Sequence, residues 1–174
     1  MSLYHSPYEA YPFLSDRGND FRCDFELLTD EMASRTGLLR AKVTDNVLQE
    51  ELLWVCELIY HINPTLRTKL TVTKEETERL AETVRCLEKQ YAHRCRRFVL
   101  TQGCETACIA HLLRVQGKQL VRLLYRHGEQ GHEVPPMLLD LANLLSGYFF
   151  FLALKLNASE GVEEIPYISR NYVG

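Results

Sequence analysis

Five cationic side chains recur at spacings of three and four along one stretch of the chain: His111, Arg114, Lys118, Arg122 and Arg126. Such spacings bring side chains to one face of a helix. Cations fixed on one face hold a phosphate, a carboxylate or an acidic residue of another subunit, and the same pattern also serves as an ordinary solvated basic face. Asp30 and Glu31 are acids that could meet that face. A second constellation, His93, Cys95, Cys104 and Cys108, places four soft ligands close together in the chain, the last pair one helical turn apart. Zinc sites more often use CxxC spacings, so these residues are read as buried or loop thiols, with a metal or redox module as the competing reading. Phosphate loops of the GxxxxGK[ST] type, GxGxxG turns and nucleophile elbows are absent.

The elements that must position these residues read as helix after helix. The first two dozen residues, with Pro7, Pro12 and Gly18, carry no sustained period and read as an arm. Thr29 or Asp30 is expected to start the first helix, and Asp45 to cap a second that Pro64 terminates. Thr73 and Glu76 have the spacing of a capping box, and Leu80, Val84, Leu87 and Tyr91 then trace one stripe. The segment HRCRRFVLTQGC connects to a fourth helix over about Glu105 to His127, closed by Gly128. Pro135 and Pro136 fit the opening of a last helix ending near Asn157. No strand pattern competes over comparable length. The fold class is therefore all-α, a five-helix up-and-down bundle spanning residues 24–157, with an arm at 1–23 and a tail at 158–174.

Composition bounds the function. The chain has 174 residues, 46% hydrophobic and 25% charged, which suits one packed domain and excludes global disorder. A net charge of −3 supplies no basic field for non-specific nucleic-acid binding. The apolar stretch Leu138 to Leu156 is interrupted by Asp140, Asn143 and Ser146, so it reads as a buried helix, not a membrane span. Four aromatics in succession, Tyr148 to Phe151, cannot all face one core, so some should meet another subunit or line a pocket. Six cysteines without a recognisable signal peptide point to free thiols and a cytoplasmic protein.

Order and spacing of several short motifs together resemble the PduO-type ATP:cob(I)alamin adenosyltransferases. Residues 30–37, DEMASRTG, resemble that family's D-E-L-N-S-x-x-G. Residues 72–91 resemble its acidic third helix, and FVLTQGC at 98–104 resembles F-I-L-P-x-G-G. His111 to Arg122 resembles H-x-x-R-x-x-x-R-R-x-E-R, and NLLSGY at 143–148 resembles N-R-L-S-D-Y. The resemblance implies a homotrimer of five-helix bundles with active sites between subunits, cobalamin (a corrinoid) as ligand, and ATP with Mg. It implies that Asp30 and Arg114 form an ion pair across the interface, that Phe98 lies against the cobalt face of the corrinoid, and that Asn143 contacts nucleotide. Phe98, Arg114 and Lys118 are the implied catalytic group, with Asp30, His111, Asn143 and again Phe98 and Arg114 as binding residues.

The same comparison shows departures on the ATP side. The family's N-terminal T-x-T-G-D-x-G loop has no counterpart here. Lys118 and Gln119 stand where the family has two arginines, Val121 where it has Glu, and Leu144 and Gly147 where it has Arg and Asp. Two readings of function follow: adenosyl transfer from ATP to cob(I)alamin, or a non-catalytic paralogue that holds a corrinoid or another ligand after losing ATP binding.

Overall fold

The computed structural model describes residues 4–171, so the first three residues of the arm and the last three of the tail lie outside the described residues. Five α-helices follow one another: α1 Phe21–Lys42, α2 Asn46–Ile62, α3 Lys74–Tyr91, α4 Glu105–Glu129 and α5 Pro136–Ser159. A single 3-10 turn, Ala92–Cys95, follows α3, and the described residues contain no strand. Local chemistry sets most boundaries. Asp45 accepts from the Val47 and Leu48 amides at the start of α2, and the Thr73–Glu76 capping box forms in full. Pro136 opens α5 at a position where a missing N–H loses nothing.

Two boundaries differ from the expectation, and at one of them α4 runs on through Gly128 to Glu129, the left-handed glycine being Gly131 instead. α1 begins at Phe21, not at Thr29 or Asp30, because Asp20 accepts from the Arg22 amide at 3.1 Å and so provides an earlier cap. Phe21 and Phe25 then bury one turn apart. Thr29 sits inside the helix with its hydroxyl donating to the Phe25 carbonyl at 2.8 Å. Residues 11–16 of the arm fold over this end: Arg67 donates to Glu26 and Asp16, and its guanidinium lies 3.5 Å from the Phe13 ring centroid. Burial, with Glu26 adjacent, pushes the Tyr11 hydroxyl up to about 12.

α5 is the central element. It packs along α4 on one side and α3 on the other, while α1 pairs with α2 and α4. By length and composition α5 could cross a membrane. Instead Leu141, Leu145, Tyr148, Phe149 and Leu152 bury fully within the bundle, each contributing roughly 1.5–3 kcal/mol of apolar transfer. Tyr148 reaches across to α2, its hydroxyl donating to Glu51 at 2.7 Å. Burial, reinforced by that carboxylate, holds the phenol well above its ordinary pKa.

Beyond α5 the chain turns back. Val99 and Pro166 form an isolated antiparallel bridge, flanked by Leu100 N–H to Ile165 O at 2.8 Å and Tyr167 N–H to Phe98 O at 2.7 Å. Fully buried Asn157 anchors this return: its carbonyl accepts from the Cys104 amide at 3.0 Å, and its amide donates to Gln102 O and to Glu164. Glu164, 4% exposed in its side chain, also pairs with Arg94 at 3.3 Å. Gly103 makes the loop possible. Its φ is +140°, and a Cβ there would lie 1.9 Å from the Asn157 carbonyl oxygen. Gly103→Ala should therefore destabilise the protein by about 2–4 kcal/mol, measured by urea unfolding, and a change below about 0.5 kcal/mol would mean the loop is not held as described.

Candidate functional site

A cleft of about 560 Å³ opens between the loop after α3 and the facing sides of α4 and α5. The loop supplies Arg96, Arg97 and Phe98, α4 supplies Arg114 and Lys118, and α5 supplies a floor of Ser146, Gly147 and Phe150. The two helices can meet closely here because Gly117 has no side chain: a Cβ would come within 3.0 Å of the Ser146 backbone. Ser146 Oγ donates to the Arg114 carbonyl at 3.1 Å, closing the seam. Arg114 and Lys118, four residues apart, thus stand side by side above a thin, largely apolar floor.

Phe98 is 82% exposed on this cleft, an unusual situation for a large aromatic ring on a loop whose backbone is fixed. Among the described residues, no carboxylate pairs with Arg96, Arg97, Arg114 or Lys118, whereas Arg22, Arg35, Arg67, Arg85 and Arg94 each have an acidic partner. No acid among the described residues lines the cleft. The arrangement suits a flat apolar body that carries negative charge at its edges.

Below the cleft, His111 is 4% exposed, and neither ring nitrogen has a hydrogen-bond partner among the described residues. Its ring lies 6.4 Å from the Phe150 centroid, and the Arg114 guanidinium is 5.9 Å from the same ring. Burial, with neighbouring Arg114 adding repulsion, lowers the imidazole to about 4, so His111 is neutral at physiological pH. Arg114 is also held below its ordinary value by burial, and its Nε is buried without a partner. Two unsatisfied polar groups beside one cleft leave room for a group from outside the chain.

The structure brings Phe98, Arg114 and Lys118 into one cleft, with His111 beneath it. Asn143 stands on α5 one turn before Ser146 and Gly147, its side-chain amide donating to Leu139 O. Asp30 is elsewhere in the same chain, where it accepts from the Tyr60 hydroxyl at 2.8 Å. Glu31 pairs with Arg35 at 2.6 Å and shares a shallow groove with Lys118, Arg122 and Arg126. Arg126 lies 4.2 Å from the Phe21 ring, so the cationic stripe splits among three environments. The four soft ligands do not converge: Cys95, Cys104 and Cys108 contact Ala92 O, Thr106 and Gly103 O, and no group of three or more His, Cys, Asp or Glu side chains assembles among the described residues. Phe150 answers the question posed by the aromatic run, since it lines the cleft while Tyr148 and Phe149 face the core. Arg96 and Arg97 were not singled out by spacing; two adjacent arginines immediately before Phe98 were the available signal.

The chain is thus a five-helix bundle with a cationic, aromatic-lipped cleft between its fourth and fifth helices. The cobalamin adenosyltransferase family model matches residues 19–156, and the chain belongs to that family. Similar solved structures include three forms of the PduO-type corrinoid adenosyltransferase from Lactobacillus reuteri. A phenylalanine-to-histidine variant complexed with cobalamin and ATP has a TM-score of 0.76 at 20% identity, covering 94% of this chain and 97% of that one. A phenylalanine-to-alanine variant, also with cobalamin and ATP, has a TM-score of 0.75 at 20% identity, covering 87% and 88%. An arginine-to-lysine variant with ATP has a TM-score of 0.75 at 23% identity, covering 86% and 88%. A search of curated protein sequences finds no match.

The electrostatics of His111 yield a pH prediction. A base whose pKa is lowered on folding binds its proton more readily in the unfolded chain, so stability is fully present above about pH 6.5 and is lost as pH falls toward about 4. The steepest loss is about 1.4 kcal/mol per pH unit. Urea unfolding between pH 7.5 and 5 should show this slope in the wild type and a shallower one in His111→Leu. Buried His127, also held low, keeps a residual slope in the variant. Equal slopes in the two proteins would show that His111 is not buried neutral.

Proposed function

We propose that this protein is an ATP:cob(I)alamin adenosyltransferase, acting as a homotrimer in the cytoplasm. The observation that carries the reading is the cleft itself, where an exposed Phe98 ring on a fixed loop faces unpaired Arg114 and Lys118 across an apolar floor. The corrinoid lies against Phe98, which excludes water and the lower axial ligand and so favours the four-coordinate Co(II) form that an external one-electron donor reduces to Co(I). The Co(I) nucleophile attacks C5′ of ATP, a Co–C bond forms, the C5′–O bond breaks, and triphosphate departs with the electron pair. No protein nucleophile is needed. Arg114 and Lys118 position the nucleotide and offset charge on the leaving triphosphate, with Asn143 on the same face of α5 as a further nucleotide contact. The described residues of one protomer put no carboxylate in the cleft, so Mg²⁺ would be held through the triphosphate that Arg114 and Lys118 bind, where it would offset leaving-group charge.

Trimer formation is supported by apolar side chains left exposed on α1 and α4, Leu27, Leu38, Leu112 and Val115. It is supported also by the buried, unpartnered Arg114 Nε, to which Asp30 of a neighbouring protomer would bring a carboxylate. Six free thiols fit a reducing compartment. Leu112→Glu should reduce the assembly to monomers in light scattering and abolish turnover while leaving the helical signal intact. A trimer that survives this change would place the interface elsewhere.

Activity is tested by supplying reduced cobalamin and ATP and following adenosylcobalamin by absorbance. Phe98→Ala should lower turnover from cob(II)alamin with a reductant by more than about tenfold, since a lower ligand returns to cobalt. Lys118→Arg should tighten ATP about fivefold, because a bidentate fork replaces a point charge. Absence of ATP-dependent product in the wild type would overturn the proposal.

A further inference from the structure

We propose that Arg96 and Arg97 form a receptor for the phosphodiester of the corrinoid's displaced nucleotide loop, so that the protein selects complete corrinoids over those lacking that loop. The inference rests on the placement of the corrinoid against Phe98 given above. A ring stacked on the lower face of the macrocycle must expel the base that normally coordinates cobalt there. That base remains tethered to the corrin edge through a linker bearing one negative phosphodiester. The displaced linker then lies at the Phe98 side of the corrinoid, within reach of the residues next to Phe98 in the chain.

Those residues are two arginines. Both line the cleft and are solvent-exposed, and among the described residues neither has an acidic partner. They lie on the loop side, across the floor from Arg114 and Lys118, which are occupied with triphosphate. With Arg114 and Lys118 assigned to triphosphate and to the neighbouring Asp30, Arg96 and Arg97 are the cleft cations left without an assigned anion, and they stand beside Phe98.

The backbone around the pair is held in advance. On one side Arg94 is bound to Glu164 and to the Val162 carbonyl, and on the other the Phe98 carbonyl accepts from the Tyr167 amide. Preorganisation of this kind lowers the entropy lost when the anion binds. Arginine also offers planar donor pairs that match phosphate oxygens, which lysine does not.

Absorbance titrations in the presence of ATP, at low ionic strength, test the inference with three probes: cobalamin, cobinamide, which lacks the whole loop, and cobinamide phosphate, which keeps the anion without the base. Wild-type protein should bind cobalamin and cobinamide phosphate about tenfold more tightly than cobinamide. The preference should shrink with added salt. In the Arg96→Gln, Arg97→Gln double variant the three affinities should converge on that of cobinamide, whose own binding should not move; a paired Arg→Lys variant should retain part of the preference. Equal affinities in the wild type, a preference that survives the double variant, or cobinamide phosphate binding no better than cobinamide would each overturn the receptor while leaving corrinoid binding in place. Failure of all three probes to bind would overturn the adenosyltransferase reading and this inference with it.

Discussion

A buried hydrogen-bonded knot, in which Asn157 at the end of α5 meets Glu164 of the returning tail and Glu164 meets Arg94 after α3, determines where the Phe98 loop can lie. Without it, residues 96–104 would be a long exposed connection between two helices. Asn157 is fully buried, so its amide and carbonyl must find partners or incur a desolvation penalty of roughly 1–3 kcal/mol each. It finds them in the Gln102 carbonyl and the Cys104 amide, and the loop is thereby tied to the core helix of the bundle. The tail then adds backbone bonds to Phe98 and Leu100. A ring as exposed as Phe98 is kept in place by its backbone rather than by its own packing, which leaves the ring's face free for a ligand.

The opposite wall of the cleft depends on a different constraint. Close contact between α4 and α5 at Gly117 and Ser146 leaves no depth beneath Arg114, so its guanidinium is partly buried over Phe150 and its Nε is cut off from water. Burial raises the worth of any carboxylate or phosphate brought to it, because the attraction acts in a medium of lower dielectric than water. His111, neutral beneath the same ring, adds no competing charge. The two walls therefore differ in kind: a rigid aromatic lip flanked by solvated arginines, and a partly desolvated cationic wall.

Much of this was legible locally. The Thr73–Glu76 box, the Asp45 cap and Pro136 are codes read over a few residues, and all act as their chemistry dictates. The start of α1 was not legible, because Phe21 and Phe25 are interleaved with Arg22, Asp24 and Glu26, and the buried face of the helix includes Glu26, Thr29 and Thr36. A face satisfied by Arg67 and by backbone carbonyls carries little apolar period. The cationic stripe was legible as a face but not as a site. Each four-residue step along it advances about 40° beyond a full turn, so its ends diverge onto different neighbours. His111 goes under α5, Arg126 goes over Phe21, and Arg114 and Lys118 reach the cleft. Contacts between the loop and the tail pair residues more than sixty positions apart, and no local period encodes them.

Of the departures from the family pattern, Lys118 and Gly147 lie in the cleft, both on its α4–α5 side. Gly147 forms part of the floor, and Val121 lies further along α4, outside the cleft lining. An acid at either position would help to orient a metal-bound triphosphate, but neither bears on Phe98, on the loop–tail pairing or on the Asn157 knot. Phe98 is held by residues 94–104 and 157–167, whereas Arg114 and Lys118 are placed by the α4–α5 seam, and both sets of contacts are anchored on α5. In the proposed mechanism, substitutions on the seam side weaken the grip on ATP without moving Phe98. In that mechanism attack by Co(I) requires positioning and charge compensation, not a protein nucleophile, so a thinner nucleotide site lowers affinity and rate while the order of bond making and breaking stays the same.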